Sequence, residues 1–396
     1  GILSCINETV ALDDHIVQFT LKKKVTLPYY LTHVAWPIMS PNMGNETGAW
    51  NGQIIGTGPF KFERQIADQE IRLVRNDDYW GEKPKIERVV FKVVTDPTTR
   101  VFALKAGDVD MILKVSENDV ADLKSTGGIE VQETLTTFTD FLQFNTKDDE
   151  HNQTTSPFHD LNVRKAVAYA IDTESIVEDL LMGHALAAKG RACSPNMMYE
   201  NPDLDLYDHD LDMASQLLNQ SGWIMESDGY RYKNGSRLDA TLLMTTEDSW
   251  APRFGAMADV IADMLLDMGM KVTVEKVPTS TFNAKEKAGD FSMILRTGYF
   301  VWGPYPKHYF IHVSYGVWSH FSSPAYNQLE MMADATTDPN EQEALYHQLA
   351  SMVIDQLPAF YLDHEHKIVA YRDHVKGYEI TSEDPWLNLM GVYIER

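Results

Sequence analysis

Apolar and polar positions along the chain change their rhythm partway through. Near the start, IVQFTLKK (16–23) alternates apolar and polar residues, the period of a half-buried strand. IIGTGPFKFE (54–63) runs from a Gly/Pro turn into another strand. IRLVRN (71–76) and ERVVFKVV (87–94) add two more, separated by the loop DDYWGEKPK. DPTTRVFALKAGDVDMI then predicts a helix: Asp96 or Thr98 can cap it, Pro97 suits its first turn, and Gly107 ends it before a short strand. FLQFNT (141–146) reads as a further strand.

From about residue 157 the spacing turns helical. LNVRKAVAYAIDTESIVEDLLMG predicts one helix ending at Gly183, and DMASQLLNQSGW a second ending at Gly222. The strand LDATLLMT (238–245), the amphipathic PRFGAMADVIADMLLDMGM and the strand KVTVEKV (271–277) give a β-α-β rhythm, which argues for a sheet covered by helices. AYNQLEMMADAT and EQEALYHQLASMVIDQL predict two more helices. PAFYLDHEHKIVAY (358–371) is strand-like and leads into an irregular tail.

One stretch obeys no period. In FVWGPYPKHYFIHVSYGVWSH (300–320), ten of the twenty-one residues are aromatic or histidine. That mixture fits a buried core, a metal site, or the wall of a cleft around a ligand. A core would have to satisfy His308, His312 and Tyr305 internally in one short irregular loop, a heavy demand that favours the wall.

Composition narrows the function. At 396 residues the chain holds two or three domains, and its 44% hydrophobic and 23% charged content is that of a globular protein. No run approaches the roughly 18 apolar residues of a membrane span. With 58 acids against 34 bases, the formal charge of −24 repels nucleic acid and anionic lipid, so neither is an expected partner. Two cysteines, Cys5 and Cys193, without a CxxC or zinc spacing, exclude a disulfide framework. The opening GILSCINETVALDD carries neither an initiator Met nor a signal peptide, which suggests a mature form or a fragment. Five sequons (Asn7, Asn45, Asn152, Asn219 and Asn234) permit extracytoplasmic glycosylation. HExxH, GxSxG, a P-loop and a dinucleotide fingerprint are all missing.

Several segments together resemble one family. They are GTGPFKFE, IRLVRNDDYWGEKPKIERVVFKVVTDPTTRVFALKAGDVDMI, FLQFNT with SPFHDLNVRKAVAYAIDTESIVEDLLMGHA, and later FSSPAYNQLEMMADA and LYHQLASMVIDQLPAFYL. In this order they resemble the solute-binding proteins of peptide/nickel-type ABC importers (extracellular solute-binding protein family 5), and most of all the nickel-binding branch. The resemblance implies an α/β, two-lobed periplasmic-binding-protein-like fold of type II. It runs from about residue 12, so the first lobe is expected to lack an N-terminal segment. Lobe I would comprise 1–143, lobe II 144–365, and 366–396 would return to complete lobe I, with hinge strands near FLQFNT and YLDHEHKIV. Within the shared blocks, Arg100 is expected to pair with an acid and Arg164 to be structural.

The resemblance also assigns a site. MILRTGYFVWGPYPKHYF is similar to the loop that faces the ligand in nickel-type relatives, which carries ligand contact over to Trp302 and Tyr305. His308, Arg296 and Trp36 join them as ligand-binding candidates, with Arg191 an alternative base. Imidazole suits Ni(II), and an open chelate site needs only one or two protein ligands. Candidate metal contacts are therefore His312, His320, and the pair His364 and His366, which point the same way if their segment is extended. Peptide-binding relatives keep an Asp in this loop, whereas no acid stands between Arg296 and His320. LTHVAWPIMSPNM carries no Arg, where chelate-binding relatives use arginines, which points to a less anionic ligand or another base.

The implied function is an extracytoplasmic receptor that captures a nickel or metal chelate between its lobes and delivers it to a membrane permease. No intrinsic cofactor and no catalysis are expected. A di- or oligopeptide receptor is the alternative ligand reading. From a different class, a metallohydrolase would use Asp363, His364, Glu365 and His366. A peptide-holding chaperone would share the fold.

Overall fold

The computed structural model describes residues 5–25, 27, 31, 40–44, 52–146, 156–247, 251–298, 321, 323–382 and 387–395. β1 (Ile6–Ala11) and β2 (Val17–Leu21) pair antiparallel. β3 (Phe60–Ile66), β4 (Glu70–Arg75) and β5 (Arg88–Lys92) form an antiparallel sheet. Asn76 secures the loop between β4 and β5: its side-chain amide donates to Gly58 O and its own oxygen accepts from the amide of Asp78. Trp80, in that loop, stays 83% exposed.

Helix α1 (Pro97–Ala106) begins where its sequence predicts. The Asp96 carboxylate accepts from the Thr99 amide at 2.7 Å, and Gly107 closes the helix at φ 82°, a conformation that costs a glycine little. Among the described residues Arg100 pairs with no acid; it donates to the carbonyls of Val94, Thr95 and Lys114, knitting loop ends together. β6 (Met111–Leu113), α2 (Val120–Ser125) and β7 (Ile129–Phe144) follow.

The helix expected across 161–183 is broken. α3 (Leu161–Ala170) stops at Ile171, and the Asp172 carboxylate caps a fresh turn by accepting from the Ser175 amide at 3.0 Å. β8 (Ala185–Ala187), α4 (Leu211–Gln220) and the small sheet β9 (Ile224–Met225), β10 (Arg231–Lys233) and β11 (Ser236–Arg237) come next. β12 (Asp239–Thr245), α5 (Ala251–Asp267), β13 (Lys271–Val277), α6 (Thr279–Ala288) and β14 (Met293–Thr297) realise the expected β-α-β rhythm. α7 (Pro324–Ala335), α8 (Pro339–Gln356), β15 (Ala359–Arg372), β16 (Val375–Lys376) and β17 (Tyr393–Ile394) complete the described elements.

Contacts divide the chain into two units, 1–33 with 137–365 and 34–136 with 366–396. The sequence-based partition instead drew its first boundary at 143/144 and kept 1–33 with the other lobe. That boundary falls at the far end of β7, a 16-residue strand whose Glu- and Thr-containing first half hides its length in the sequence.

In the larger unit the strand order is β13-β12-β14-β7-β15, with β8 also on β15. β12 runs parallel to β13 and β14, and β14 is antiparallel to β7. Both faces are covered, so successive residues enter different cores: Leu242 and Leu295 pack with Met257 and Ile261 of α5, while Leu243 and Ile294 pack with Phe282 of α6. Phe141 and Tyr361 pack with Tyr346 and Leu349 of α8. In the smaller unit, Ile112, Ile368 and Ala370 meet Leu104 and Leu123 of α1 and α2, and Val369 and Tyr371 meet Val375, Tyr378 and Val392.

Candidate functional site

Open α/β sheets bind ligands outside the carboxyl ends of their strands, where the chain order switches direction. In the larger unit that edge is built by Thr245, Val277 and Thr297, the last residues of β12, β13 and β14. Thr245 and Thr279 hydroxyls lie 2.9 Å apart, and the Glu247 carboxylate accepts from the Thr279 amide at 2.9 Å. Glu247 thus caps α6, whose own N-cap, Pro278, offers no side-chain acceptor. At β14, Thr297 sits opposite Asp140, and the Gly298 amide donates to Thr139 O at 2.7 Å. The aromatic stretch follows directly after this anchored residue. Trp302, Tyr305, His308, His312 and His320 lie outside the described residues, as does Trp36.

Beside this edge stands a polar hub that the sequence reading did not foresee. Arg253, in the first turn of α5, directs Nη2 to Asp363 at 2.6 Å and Asp140 at 2.9 Å, and Nη1 to Glu365 at 2.8 Å. Asp140 and Asp363 are fully buried and Glu365 is partly buried. Burial, with Asp363 and Glu365 close by, pushes the Asp140 carboxyl well above the usual range, against the pull of Arg253 and the Thr297 hydroxyl. Two signals could have revealed the hub: an acid inside the apolar run FTDFLQF, and an arginine opening an apolar helix.

His364 faces a different set. Its Nδ1 lies 2.9 Å from the Thr139 hydroxyl, which also donates to Ala192 O at 3.3 Å. A carbonyl only accepts, so the hydroxyl proton goes to Ala192 and the imidazole Nδ1–H donates to Thr139. Burial, and secondarily the nearby Arg191 charge, push His364 down to about 3, so the ring is neutral. Thus Asp363 and Glu365 converge on Arg253, whereas His364 turns to Thr139. His366 is half-buried, one residue past the boundary and in the smaller unit. Among the described residues, no three His, Cys, Asp or Glu side chains are placed to hold a metal ion.

The two candidate bases are engaged. Arg296 pairs with Glu286 at 2.7 Å and lies over the Phe282 ring, 5.1 Å from its centroid. Arg191 pairs with Glu200 at 3.1 Å. Burial pushes the Cys193 thiol up, leaving it an inert core group. In the smaller unit a cavity of about 410 Å³ lies among Val89, Phe91, Met111, Leu113, Leu389 and Ile394, and none of the predicted ligand or metal contacts among the described residues lines it.

Residues 4–320 match the sequence model of the bacterial extracellular solute-binding proteins, family 5. The chain belongs to that family. It is 28% identical over 387 residues to the nickel-binding periplasmic protein of Escherichia coli (strain K12), covering 90% of this chain and 70% of that one. To the dipeptide-binding protein of the same organism it is 24% identical, covering 96% of this chain and 70% of the other. Its structure is similar to NikA from Brucella suis in complex with Fe(III)-EDTA, with a TM-score of 0.88 at 23% identity, covering 100% of this chain and 80% of NikA. The family 5 protein described here therefore has the two-lobed α/β fold of periplasmic binding proteins. No helix among its described residues is long and apolar enough to cross a membrane.

Proposed function

We propose that this family 5 protein is the extracytoplasmic receptor of an ABC importer, holding a nickel or metal-chelate ligand between its lobes and passing it to a membrane permease. The observation that carries the reading is where β14 ends, at Thr297, with residues 299–320 next in the sequence. β14 ends at the carboxyl edge of the parallel strands, where this class of sheet binds ligands, and the sequence of 299–320 brings eleven aromatic or histidine residues and no acid. Similarity to a nickel-binding periplasmic protein and to a structure holding a metal chelate supports the same ligand class.

In this reading Trp302 and Tyr305 form a flat wall with little side-chain entropy to lose, and His308 and Trp36 extend it. His312 and His320 supply the axial metal contact. His364 and His366 are secondary, because His364 is enclosed against Thr139. Arg296 serves an anionic ligand only by sharing its charge with Glu286. The lobes correspond to the two contact units, and closure occurs about the crossings at 136/137 and 365/366. No reaction is catalysed, and the protein has no resident cofactor.

A peptide ligand is the second reading. It is favoured by Asp140, Asp363 and Glu365, which put carboxylates at the base of the same edge even though the loop has none. Titration calorimetry separates the two. Ni(II) with free L-histidine should bind saturably to wild type and weaken in Trp302→Ala and His312→Ala, with melting temperature nearly unchanged. Saturable binding of dipeptides without chelate binding would select the alternative. Substrate consumption would sink both.

A further inference from the structure

We propose that Arg253 is a positioning residue, tying together the two strands through which the chain leaves the larger unit and so setting the stiffness of both crossings. The proposal deepens the closing-receptor reading and rests on it for its functional meaning. Its structural basis stands apart. β7 crosses between Thr136 and Thr137, just ahead of Asp140, and β15 crosses between Glu365 and His366, immediately after Glu365. One guanidinium reaches both strands, Asp140 on the first and Asp363 and Glu365 on the second. The same residue opens α5, the helix that follows β12 at the carboxyl edge. A single side chain thus connects the ligand-facing edge with both crossings.

Chemistry explains why arginine stands there. A planar fork can direct Nη1 to one carboxylate while Nη2 serves two others, in a setting where burial strengthens each attraction. Lysine would bring the same charge to a single nitrogen and could not span the strands in this geometry. Charge neutralisation alone would tolerate lysine; bridging would not. That difference makes the two roles separable.

The test is hydrogen exchange by mass spectrometry on the whole chain, without ligand, for wild type, Arg253→Lys and Glu365→Gln. We expect Arg253→Lys to speed exchange about tenfold or more in 137–144 and 359–368 while 239–245 and 271–277 keep their wild-type rates. Glu365→Gln removes only the partly buried leg, so it should loosen 362–368 and leave 137–144 alone. Wild-type protection of the crossings in Arg253→Lys would overturn the proposal. So would an equal rise throughout the larger unit in both variants, the mark of a merely structural role. Failure of wild type to bind any solute would instead remove the receptor reading and leave this exchange pattern standing.

Discussion

Arg164 is buried and Arg253 partly buried in the larger unit, and they are satisfied in opposite ways. Among the described residues Arg164 meets only backbone: Nη1 donates to Phe158 O at 2.6 Å and His159 O at 3.1 Å, and Nη2 to Gln356 O at 2.8 Å. Those carbonyls belong to a short turn and to the end of α8, where helices leave acceptors unsatisfied. With no carboxylate among the described residues in hydrogen-bonding contact, burial lowers Arg164 to about 10. Arg253 meets side chains, three carboxylates from the two strands that cross between units. An arginine on carbonyls completes the backbone accounting of one region. An arginine on carboxylates from neighbouring strands adds a side-chain link beside the sheet ladder.

The sharpest way to break this contrast is to remove each charge. Arg253→Met leaves buried carboxylates without their counter-charge and should cost about 3–5 kcal/mol. Arg164→Met strands several carbonyls and should cost about 3 kcal/mol. The two should differ in rescue. Adding Asp363→Asn to Arg253→Met should recover part of the loss, whereas no single side-chain change should rescue Arg164→Met. Urea denaturation of Arg253→Met and Arg164→Met, each with and without Asp363→Asn, decides it, and equal rescue in both backgrounds would erase the distinction.

A smaller effect comes from pH. The folded-state value of His364, about 3, lies below its ordinary 6.5, so the unfolded chain takes a proton that the folded chain refuses. Stability from this group is complete above pH 6.5 and declines as pH falls toward 3, at about 1.4 kcal/mol per pH unit. His364→Asn, which can keep a hydrogen bond to Thr139, should flatten that limb between pH 6.5 and 4.5. An unchanged slope would show that other groups set the acid limb.

Arg296 tests the middle ground. Its partner Glu286 is pushed up by burial and can take a proton when the arginine is lost. Arg296→Met should therefore cost only about 1–2 kcal/mol, with any loss of chelate affinity measured separately by calorimetry. At the far end, Trp80 is held by the turn around Asn76 and faces solvent. Trp80→Ala should change stability by less than about 0.5 kcal/mol. A large loss at Trp80 would mean that the loop packs far more tightly than its exposure indicates.

Local order was legible in the sequence wherever one residue decides it. Asp96 and Gly107 bound α1, and the strand-like LDATLLMT and KVTVEKV marked β12 and β13. The break at Ile171 was hidden because the apolar spacing continues through it, while Asp172 quietly starts a new cap. The first half of β7 was hidden by its polar residues. TSTFNAKEKA lacks an apolar stripe, so α6 escaped too; its cap comes from Glu247, far away in the chain. The hub escaped for the same reason: Asp140, Arg253 and the pair Asp363 and Glu365 are distant in sequence and meet only through the sheet order. The aromatic stretch was visible at once, since composition needs no register.

The central claim is that a solute binds at the carboxyl edge of β12 and β14, against the residues that follow them. Hydrogen exchange with and without Ni(II) plus two equivalents of L-histidine tests it directly. The account predicts saturable slowing of exchange in 245–253 and 297–320, with the chelate recovered unchanged. Saturable binding that leaves those segments at their free rates, and instead protects 88–113 around the cavity of the smaller unit, would contradict it.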